Sequence, residues 1–434
     1  MTTKRPGSLA AWLSYLETLH PRVIAMGLER VRAVADRMHI ALTTPVIVVG
    51  GTNGKGSTCA MLDAMLRSAG YRTGLYTSPH LMHYNERVVV DGRAVDDETL
   101  ISAFDAVEDV RVAADEPTPL TYFEFGTLAA LHVFADGKLD AAILEVGLGG
   151  RLDAVNIIDA DVAVITSIDI DHTEFLGATR EAIGREKAGI FRARRPAVCT
   201  DRRPPASVVE HARAIGARLY VLGVDYDGVI EGRQWRYDGP GGARFGLPYP
   251  ALRGRYQIDN AATAIAALAC IADRLPMPGN AIRDGLTNVE LAGRFTVLPG
   301  RPTIVLDVAH NPHAAQALAS SLGDMGFHPR TTAVVGMLKD KDVEGIVAAL
   351  RHRIDRWHVA SLPGLRGSNA DEVAPRLVAA GIDVATIRRF DDVASAYDTA
   401  LGDAAEADRI VVFGSFVTVA AVLAASRRSA SSRS

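Results

Sequence analysis

The chain has 434 residues, of which 48% are hydrophobic and 23% charged, and its formal net charge is −4. This length suggests about two to three domains, and the composition is that of an ordinary globular protein. The slightly negative charge excludes the basic footprint that binding to nucleic acid or an anionic membrane requires. Three widely spaced cysteines without a CxxC pair predict buried thiols in a reducing compartment. The N-terminal stretch has the pattern of an amphipathic helix, not of a signal peptide, and no apolar run is long enough to span a membrane, so we expect a cytoplasmic protein.

The first part of the chain alternates predicted strands and helices. Helical spacing at 8–19 and 27–36 precedes an apolar strand at 45–49, and the helix after that strand closes at Gly70. Further strands are predicted at 71–76, 87–90, 141–146, 161–168, 197–200 and 219–224. Other predicted elements are helices at 96–114, 121–134 and 256–275 and short antiparallel strands within 225–255. The alternation predicts a doubly wound sheet.

A second α/β series begins after the Pro-Gly-Arg-Pro segment at 299–302. Its strands are predicted at 303–308, 332–336, 357–361 and 409–413, with helices between them. We therefore divide the chain into a domain at 1–298, a Rossmann-like domain at 299–425 and a disordered Ser/Arg-rich tail at 426–434.

The segment Gly51–Thr58, GTNGKGST, joins the strand at 45–49 to a helix predicted to begin at Thr58. The order of strand, glycine loop and helix places backbone N–H groups and a helix N-terminus around an anion, and Lys55 adds a positive charge. The segment predicts a site for a nucleoside triphosphate, although a glycine separates the lysine from the serine, unlike the commonest P-loop. The alternative is a glycine-rich turn without a ligand.

Polar side chains follow three predicted strands at Ser78, Glu145 and His172. The carboxyl ends of parallel strands meet at one edge of a sheet, so these side chains should converge on the phosphate loop. Mg²⁺ prefers oxygen ligands, and a carboxylate that ends an apolar strand is costly unless it is paired. The alternatives are a salt bridge from Glu145 to Arg151 or Lys187, a capping role for Ser78 and a hydrogen-bonded loop position for His172.

Two further constellations lie near the second domain. Asp307–Pro312, DVAHNP, ends the first strand of that domain, where Rossmann-like folds bind ligands, and Arg294 offers a guanidinium for phosphate. The alternatives are a helix cap at Asp307 and a surface ion pair at Arg294. Composition and spacing thus predict a two-domain enzyme that uses ATP or GTP, and they leave the acceptor open.

Motifs from nearly the whole chain form one ordered series. They are GTNGKGST (51–58), TSPHL (77–81), YNERV (84–88), LTYFEFGTLAAL (120–131), LEVGLGGRLDAVN (144–156), SIDIDHTEFLG (167–177), REKAGI (185–190), AGRF (292–295) and DVAHNPHA (307–314). This series resembles the folylpolyglutamate synthase/dihydrofolate synthase family, a branch of the Mur ligases. Because the phosphate loop lies near residue 50, we do not expect the extra N-terminal domain of the peptidoglycan branch.

The resemblance implies an α/β fold, with an N-terminal P-loop-type doubly wound ATPase domain and a C-terminal Rossmann-like glutamate-ligase domain. The implied enzyme is an ATP-dependent ligase that forms an acyl phosphate on its acceptor and transfers the acyl group to L-glutamate. The implied acceptors are dihydropteroate, which becomes dihydrofolate, and the glutamyl chain of reduced folates. The implied cofactor is Mg²⁺, as two ions, with ATP as co-substrate. The implied partners are these small molecules, with no nucleic acid and no membrane, and the implied state is a monomer.

The resemblance also assigns roles on the nucleotide side. The implied ATP contacts are Thr52, Asn53, Gly54, Lys55, Gly56, Ser57, Asn260, Arg294 and Asp307. The implied metal ligands are Ser78, Glu145, His172 and Lys187, the last as a carbamate. The implied catalytic residues are Lys55, Lys187, Asp307 and His310, and His310 with Ser415 marks the implied glutamate and acyl-phosphate site. The alternative for Lys187 is an ordinary surface ion pair.

The pterin side separates the possible activities. The implied contacts are Gly27, Leu28, Glu29, Thr121, Tyr122, Phe123, Glu124, Leu152, Asp153 and Ala154. Phe123 would supply an aromatic face, and Asp153 a hydrogen-bond acceptor for the amino and N–H edge of the pterin. These segments favour both activities over the rival functions, which are folylpolyglutamate synthesis alone, another Mur-type amide ligase, and a nucleotide-binding module without ligase activity.

Overall fold

The computed structural model describes residues 5–113 and 116–431, with side chains as far as 427. These residues form two compact units. The first extends to Ala251 and includes Ile258–Val289, and the second consists of Leu252–Gln257 and the chain from Glu290 onward.

The first unit is built on a sheet whose eight strands come from the described residues. They are β1 Val46–Gly50, β2 Thr73–Tyr76, β3 Val88–Val90, β4 Arg93–Ala94, β5 Ala141–Glu145, β6 Val162–Ile165, β7 Pro196–Cys199 and β8 Arg218–Val221. Their spatial order is β4-β3-β2-β5-β1-β6-β7-β8, and all neighbours from β2 to β8 are parallel. β3 and β4 form an antiparallel edge. Because β1 lies at the centre, the loop that follows it opens between the ends of β5 and β6.

Ten helices accompany these strands among the described residues up to Asn288. They are α1 Leu9–Leu16, α2 Glu29–Arg37, α3 Lys55–Ser68, α4 Asp97–Val112, α5 Tyr122–Asp136, α6 Thr173–Leu176, α7 Arg180–Ala188, α8 Ala206–Ile215, α9 Tyr256–Ala269 and α10 Gly279–Asn288. Side chains cap several of them, as Ser8 caps α1 and Asp96 caps α4. The doubly wound α/β prediction is confirmed, but α9 ends before the predicted 275, and the separate helix α10 was not predicted.

A small antiparallel sheet occupies the region where short strands were predicted. Its strands are β9 Asp227–Glu231, β10 Gln234–Asp238 and β11 Arg244–Leu247, in the order β11-β10-β9. Trp235 and Tyr237 of β10 are fully buried, so this sheet has a covered face of its own.

The second unit has a Rossmann-like sheet in the order β12-β13-β17-β14-β15-β16, parallel except for β12. Its strands are β12 Thr296–Leu298, β13 Thr303–Leu306, β14 Thr331–Val335, β15 Arg356–Ala360, β16 Ile387–Phe390 and β17 Arg409–Phe413. Its helices are α11 Pro312–Gly323, α12 Val343–Leu350, α13 Ala370–Ala379, α14 Val393–Asp403 and α15 Phe416–Ser431.

The ends of this unit differ from the prediction. β12 pairs with β13, so the residues just before the predicted boundary at 299 belong to the second sheet. Residues 426–431, part of the tail that we expected to be disordered, continue the last helix as far as Ser431. The residues 432–434 lie outside the described part of the chain.

All three cysteines are free; Cys59 and Cys199 are buried as expected, whereas Cys270 is partly exposed. Among the residues that the structure describes, no helix combines the length and the apolar character that crossing a membrane takes.

Candidate active site

The phosphate loop is a tight turn between β1 and α3. Gly51 has φ +144°, and a Cβ there would overlap the Thr166 hydroxyl. Gly54 has φ +91° and is the N-cap of α3, which begins at Lys55 and not at the predicted Thr58. The earlier start places the N–H groups of Lys55, Gly56 and Ser57 in the first turn of the helix, where they have no intrahelical acceptor. The loop therefore has the geometry of a cradle for an anion, as predicted for a phosphate loop.

The loop is anchored to the segment that follows β6. The Thr52 N–H donates to the Ser167 carbonyl at 2.7 Å, and the Asn53 N–H donates to Ser167 Oγ at 3.2 Å. The Asp169 N–H donates to the Thr52 hydroxyl at 3.0 Å. Lys55 Nζ lies over the turn and donates to the carbonyls of Gly51 and Thr52, at 3.1 and 3.2 Å. The ammonium is therefore held at the mouth of the cradle.

Glu145 and Ser78 come together as predicted for neighbours at the ends of β5 and β2. The Ser78 N–H donates to Glu145 Oε2 at 3.1 Å, and Glu145 is 4% exposed. Arg151, one of the two alternative partners of Glu145, pairs with Glu186 at 2.8 Å. A buried carboxylate therefore stands at the carboxyl edge of the sheet, beside a serine.

Lys187, near the end of α7, is 3% exposed, so the alternative of a surface ion pair is wrong. Burial lowers the pKa of its amine to about 7, the Lys55 ammonium acts in the same direction, and the Asp171 and Asp153 carboxylates oppose it. His172 follows Asp171 in the chain: the backbone N–H of His172 donates to Asp171 Oδ1 at 2.9 Å, and the φ of His172 is +51°. Lys55, Lys187 and Asp171 are thus electrostatic neighbours.

The donors fit a divalent cation that a nucleotide would share. Among the described residues, no group of three His, Cys, Asp or Glu side chains could hold a metal ion alone. Mg²⁺ is commonly bound by one or two protein oxygens together with phosphate and water, so a buried Glu145 beside Ser78 suits it.

Phe123 and the glycine loop after β5 form one wall of the predicted pterin pocket. The Phe123 ring lies against Gly147, where an added Cβ would stand 2.6 Å from Phe123 Cζ. The ring also neighbours Tyr76, with 6.1 Å between centroids. Thr121 caps α5, and Glu124 completes a capping box with it.

Asp153 organises its own loop. Its Oδ2 accepts from the Leu148 N–H at 2.8 Å, and its Oδ1 accepts from the Val155 N–H at 3.0 Å. Burial raises the pKa of the carboxyl to about 7, against the lowering effect of these N–H groups and of Lys55. Asp153 caps the short 3₁₀ turn Ala154–Ile157, a structural role that the sequence did not reveal.

The loop before α2 lies against the glycine loop that follows β5. Met26 Cε lies 3.7 Å from the position that a Cβ on Gly149 would take, and Gly27 has φ +138°. Leu28 precedes α2, and Glu29 is its first residue. Leu152 is half-buried and Ala154 is buried. The structure therefore brings the three predicted pterin segments together in the first unit.

Two residues near this pocket escaped sequence reasoning. Arg87, within YNERV, donates from Nε to His80 Nδ1 at 2.8 Å and lies over the Tyr122 ring, 5.6 Å from its centroid. Burial and Arg87 lower the pKa of His80 to about 4, so His80 is neutral and accepts. Arg30, next to the predicted Glu29, pairs with Glu124 at 2.9 Å. Arg87 belonged to a recognised motif and Arg30 followed the predicted Glu29, but their contacts with Tyr122 and Glu124 join segments that lie far apart in sequence.

In the second unit, Asp307 ties the end of β13 to the segment before β12. Its Oδ2 accepts from the Phe295 N–H at 2.9 Å and its Oδ1 from the Ala309 N–H at 2.8 Å. Burial raises the pKa of this carboxyl, and Arg294 opposes the rise. The alternative of a helix cap is wrong, because Asn311 caps α11.

The other predicted residues of this unit gather at the ends of β13 and β17. The Arg294 guanidinium lies 5.2 Å from the Phe416 ring centroid, and no ion pair of Arg294 occurs within the described chain. His310 Nδ1 lies 2.8 Å from the Val308 carbonyl, and its ring is 6.5 Å from that of Phe416. Ser415 Oγ accepts from the Thr418 N–H at 3.1 Å. Asn260, by contrast, belongs to the first unit, on α9 beside Gly54.

Comparison with known proteins places the chain in a family. The Mur ligase middle domain matches residues 49–268, and the Mur ligase glutamate ligase domain matches residues 293–416. The dihydrofolate synthase/folylpolyglutamate synthase of Escherichia coli (strain K12) is 44% identical over 423 residues, which cover 97% of this chain and 96% of that protein.

Solved structures agree over the full length. The structure of E. coli FolC in complex with DHPP and ADP has a TM-score of 0.92 and 44% identity, and each chain is covered completely (100%). A bifunctional folylpolyglutamate synthase/dihydrofolate synthase with Mn, AMPPNP and L-glutamate bound has a TM-score of 0.89 and 45% identity, covering 98% of this chain and 100% of the other. The chain therefore belongs to the dihydrofolate synthase/folylpolyglutamate synthase family of the Mur ligases.

Proposed function

We propose that this protein is an ATP-dependent ligase that adds L-glutamate to dihydropteroate, giving dihydrofolate, and to the glutamyl chain of reduced folates. The observation that carries the proposal is the 44% identity to the E. coli bifunctional enzyme over 97% of this chain. The geometry supports it, since the phosphate loop, the buried Glu145 and the pocket beside Phe123 belong to one compact unit.

On the nucleotide side, the N–H groups from Gly54 to Ser57 receive the phosphates, while the Thr52 and Asn53 N–H groups, which donate to Ser167, hold the loop in place. The Lys55 ammonium, now bonded to two loop carbonyls, exchanges them for phosphate oxygens and stabilises charge on the transferred group. We assign Asn260, Arg294 and Asp307 as further ATP contacts. Arg294 suits this role because its guanidinium lies over the Phe416 ring, and a long hydrogen bond of 3.4 Å from Nη1 to the Gly293 carbonyl leaves further donors for phosphate.

When bound, Mg²⁺ screens the triphosphate and polarises the transferred group. We propose that Ser78, Glu145, His172 and Lys187 hold two ions, with Lys187 as a carbamate. The Lys187 amine would add to CO₂, forming a C–N bond and releasing one proton. The burial of Lys187 near Lys55 supports this modification, because a carbamate places an anion beside the Lys55 ammonium, where protonated Lys187 would place a second cation. The bound Mn in a solved relative supports a divalent cation.

The reaction proceeds in two displacements. A carboxylate oxygen of the acceptor attacks the γ-phosphorus, the bond to the β,γ-bridging oxygen breaks, and ADP leaves. The amine of glutamate then attacks the acyl carbon, the carbon–oxygen bond to phosphate breaks, and the amine loses a proton. We assign His310 and Ser415 to this second step; the Val308 carbonyl holds the His310 ring through Nδ1–H, which makes Nε2 the basic nitrogen.

On the acceptor side, the Phe123 ring offers a face for the pterin, and Asp153 and the Gly27–Glu29 loop lie beside it. The relative bound to DHPP, a pteroate-like ligand, supports this assignment. We further propose that the protein acts as a monomer in the cytoplasm, where its free thiols persist.

The test is phosphate release with purified protein, ATP, L-glutamate and one acceptor at a time. Release with dihydropteroate and with a reduced folate supports both activities. Release with a reduced folate alone selects folylpolyglutamate synthesis, and nucleotide binding without acceptor-dependent release would indicate a binding module. Release with neither acceptor but with another carboxylate selects a different amide ligase.

A further inference from the structure

Arg30 joins two segments on the pterin side of the first unit. It is the second residue of α2, and its Nη2 donates to the Ala25 carbonyl at 2.7 Å and to Glu124 Oε1 at 2.9 Å. Its Nε lies 3.5 Å from Glu124 Oε2. One planar guanidinium therefore holds both the loop before α2 and the start of α5.

Glu124 connects Arg30 to the first turn of α5. Its side chain is 5% exposed, and its Oε2 also accepts from the Thr121 N–H at 2.8 Å. The Thr121 hydroxyl accepts from the Glu124 N–H at 3.2 Å and completes the capping box. The same carboxylate thus serves Arg30 and the turn that carries Tyr122 and Phe123.

The two segments meet the glycine loop 147–149 from different elements. Phe123 lies against Gly147, and Met26, on the loop that Arg30 holds, lies next to Gly149. Each of these contacts is close enough that a methyl group on the glycine would touch the neighbouring side chain. The spacing between the Phe123 ring and the Met26 loop consequently depends on the link between them.

We propose that Arg30 is a positioning residue for the pterin-bearing acceptor, acting through Glu124 to set the Phe123 ring and the Gly27–Glu29 loop at the spacing that a planar ring needs. The inference rests on the proposed function, which places the acceptor in this pocket. A residue that sets only acceptor fit changes the KM for the acceptor and leaves ATP binding unchanged.

The experiment compares full-length wild type, Arg30→Ala and Arg30→Lys, with dihydropteroate, ATP and glutamate varied in turn. For Arg30→Ala we expect the KM for dihydropteroate to rise about 10- to 100-fold and the KM for ATP to stay within about twofold. For Arg30→Lys we expect a KM for dihydropteroate between those of wild type and Arg30→Ala, because an ammonium cannot span both carboxylate oxygens. Arg388→Ala is the matched control: Arg388 pairs with Asp403 at 2.7 Å on the exposed surface of the second unit.

A second substitution tests the route of the effect. If Arg30 acts through Glu124, the rise caused by Arg30→Lys should be much smaller in a Glu124→Gln background than in wild type. ADP binding and the thermal midpoint, measured on each variant, report folding. If Arg30→Ala does not fold, Arg30→Lys decides by the same criteria.

The outcomes separate this inference from the proposed function. Wild type that does not use dihydropteroate refutes that part of the proposed function, and the variants are then compared with a reduced folate as acceptor. Wild type that turns over while the Arg30 variants keep its acceptor KM overturns the inference. The inference is also overturned if the KM values for ATP and for the acceptor rise together and the thermal midpoint falls. That result would mark Arg30 as merely structural.

Discussion

Gly54 and Asn260 lie so close that a Cβ on Gly54 would stand 2.7 Å from the Asn260 Oδ1 atom. Gly54 also adopts φ +91° as the N-cap of α3. The phosphate loop and α9 therefore fit against each other only because this residue has no side chain.

Gly54→Ala should abolish nucleotide binding. The methyl group must displace the Asn260 amide or reshape the loop, and either change misaligns the N–H groups that receive phosphate. We expect ADP affinity to fall by at least about 100-fold, measured by calorimetry, since several charge-assisted hydrogen bonds are lost together.

Gly70→Ala is the matched control for this change. Gly70 has φ +90°, but a Cβ there would meet nothing within 4 Å. This variant carries only the backbone cost, roughly 1–2 kcal/mol of stability, and should bind ADP like wild type. Equal ADP affinities for Gly54→Ala and wild type would refute the cradle.

Asp307→Asn should destabilise the second unit. Both carboxylate oxygens accept backbone N–H groups, from Phe295 and Ala309, and an amide can accept only one of them. Leaving one buried N–H without an acceptor costs about 1–3 kcal/mol of unfolding free energy, measured by urea titration. Asp383→Asn is the control, because that exposed carboxylate caps through one oxygen and should change stability by less than about 0.5 kcal/mol. Similar losses in both variants would contradict the argument.

Lys187→Ala should lower kcat by about 100- to 1,000-fold, because the proposed function places the charged carbamate of Lys187 at the phosphoryl site. Partial rescue by formate or acetate is expected if the missing group is a carbamate. Lys187→Arg keeps a positive charge but cannot form a stable carbamate, and we expect it to be as inactive as the alanine variant. An active arginine variant, or no carbamate carbon signal after incubation with ¹³C-bicarbonate, would count against the modification.

The Asp153 carboxyl predicts a pH dependence of stability. Its pKa is about 7 in the folded chain, against an ordinary value of 3.8. Between these values the unfolded chain has released a proton that the folded chain retains, so the free energy of unfolding falls as pH rises. Relative to Asp153→Asn, wild type should lose at most about 1.4 kcal/mol per pH unit from about pH 5 to about pH 7. A difference in urea stability that does not vary with pH would refute the assigned pKa.

Sequence patterns predicted the central strands well. β17 was predicted at 409–413 and is Arg409–Phe413, and β5 ends one residue before the predicted 146. Both strands are buried on both faces, so they appear as continuous apolar runs with clear ends.

The elements that we missed depend on tertiary packing or have weak patterns. β16, Ile387–Phe390, is an edge strand whose two central arginines are exposed and hide its strand character. α10 contains glycines that argue against a helix, yet Gly285 lies so close to α3 that a Cβ would stand 2.6 Å from the Met65 Cα. Close helix packing, which no local pattern reports, requires that glycine.

In the candidate site, too, local motifs predicted some residues, whereas contacts made by tertiary packing were missed. Motifs identified Lys55, Glu145 and Asp307 by type and by position at strand ends. They could not show that Asp153 satisfies its own loop, nor that Arg30 reaches Glu124, because the partner of Arg30 lies 94 residues away. The fold brings the two residues of such a pair together, so the spacing of motifs along the chain cannot predict the contact.

The measurement that tests the account most directly is steady-state phosphate release by wild type with ATP, L-glutamate and dihydropteroate, omitting each substrate in turn. We predict release that requires all three substrates and a divalent cation, with one dihydrofolate formed per phosphate. Phosphate release that is indifferent to dihydropteroate, or none while ADP still binds, would contradict the assignment of this chain as a dihydrofolate-forming ligase.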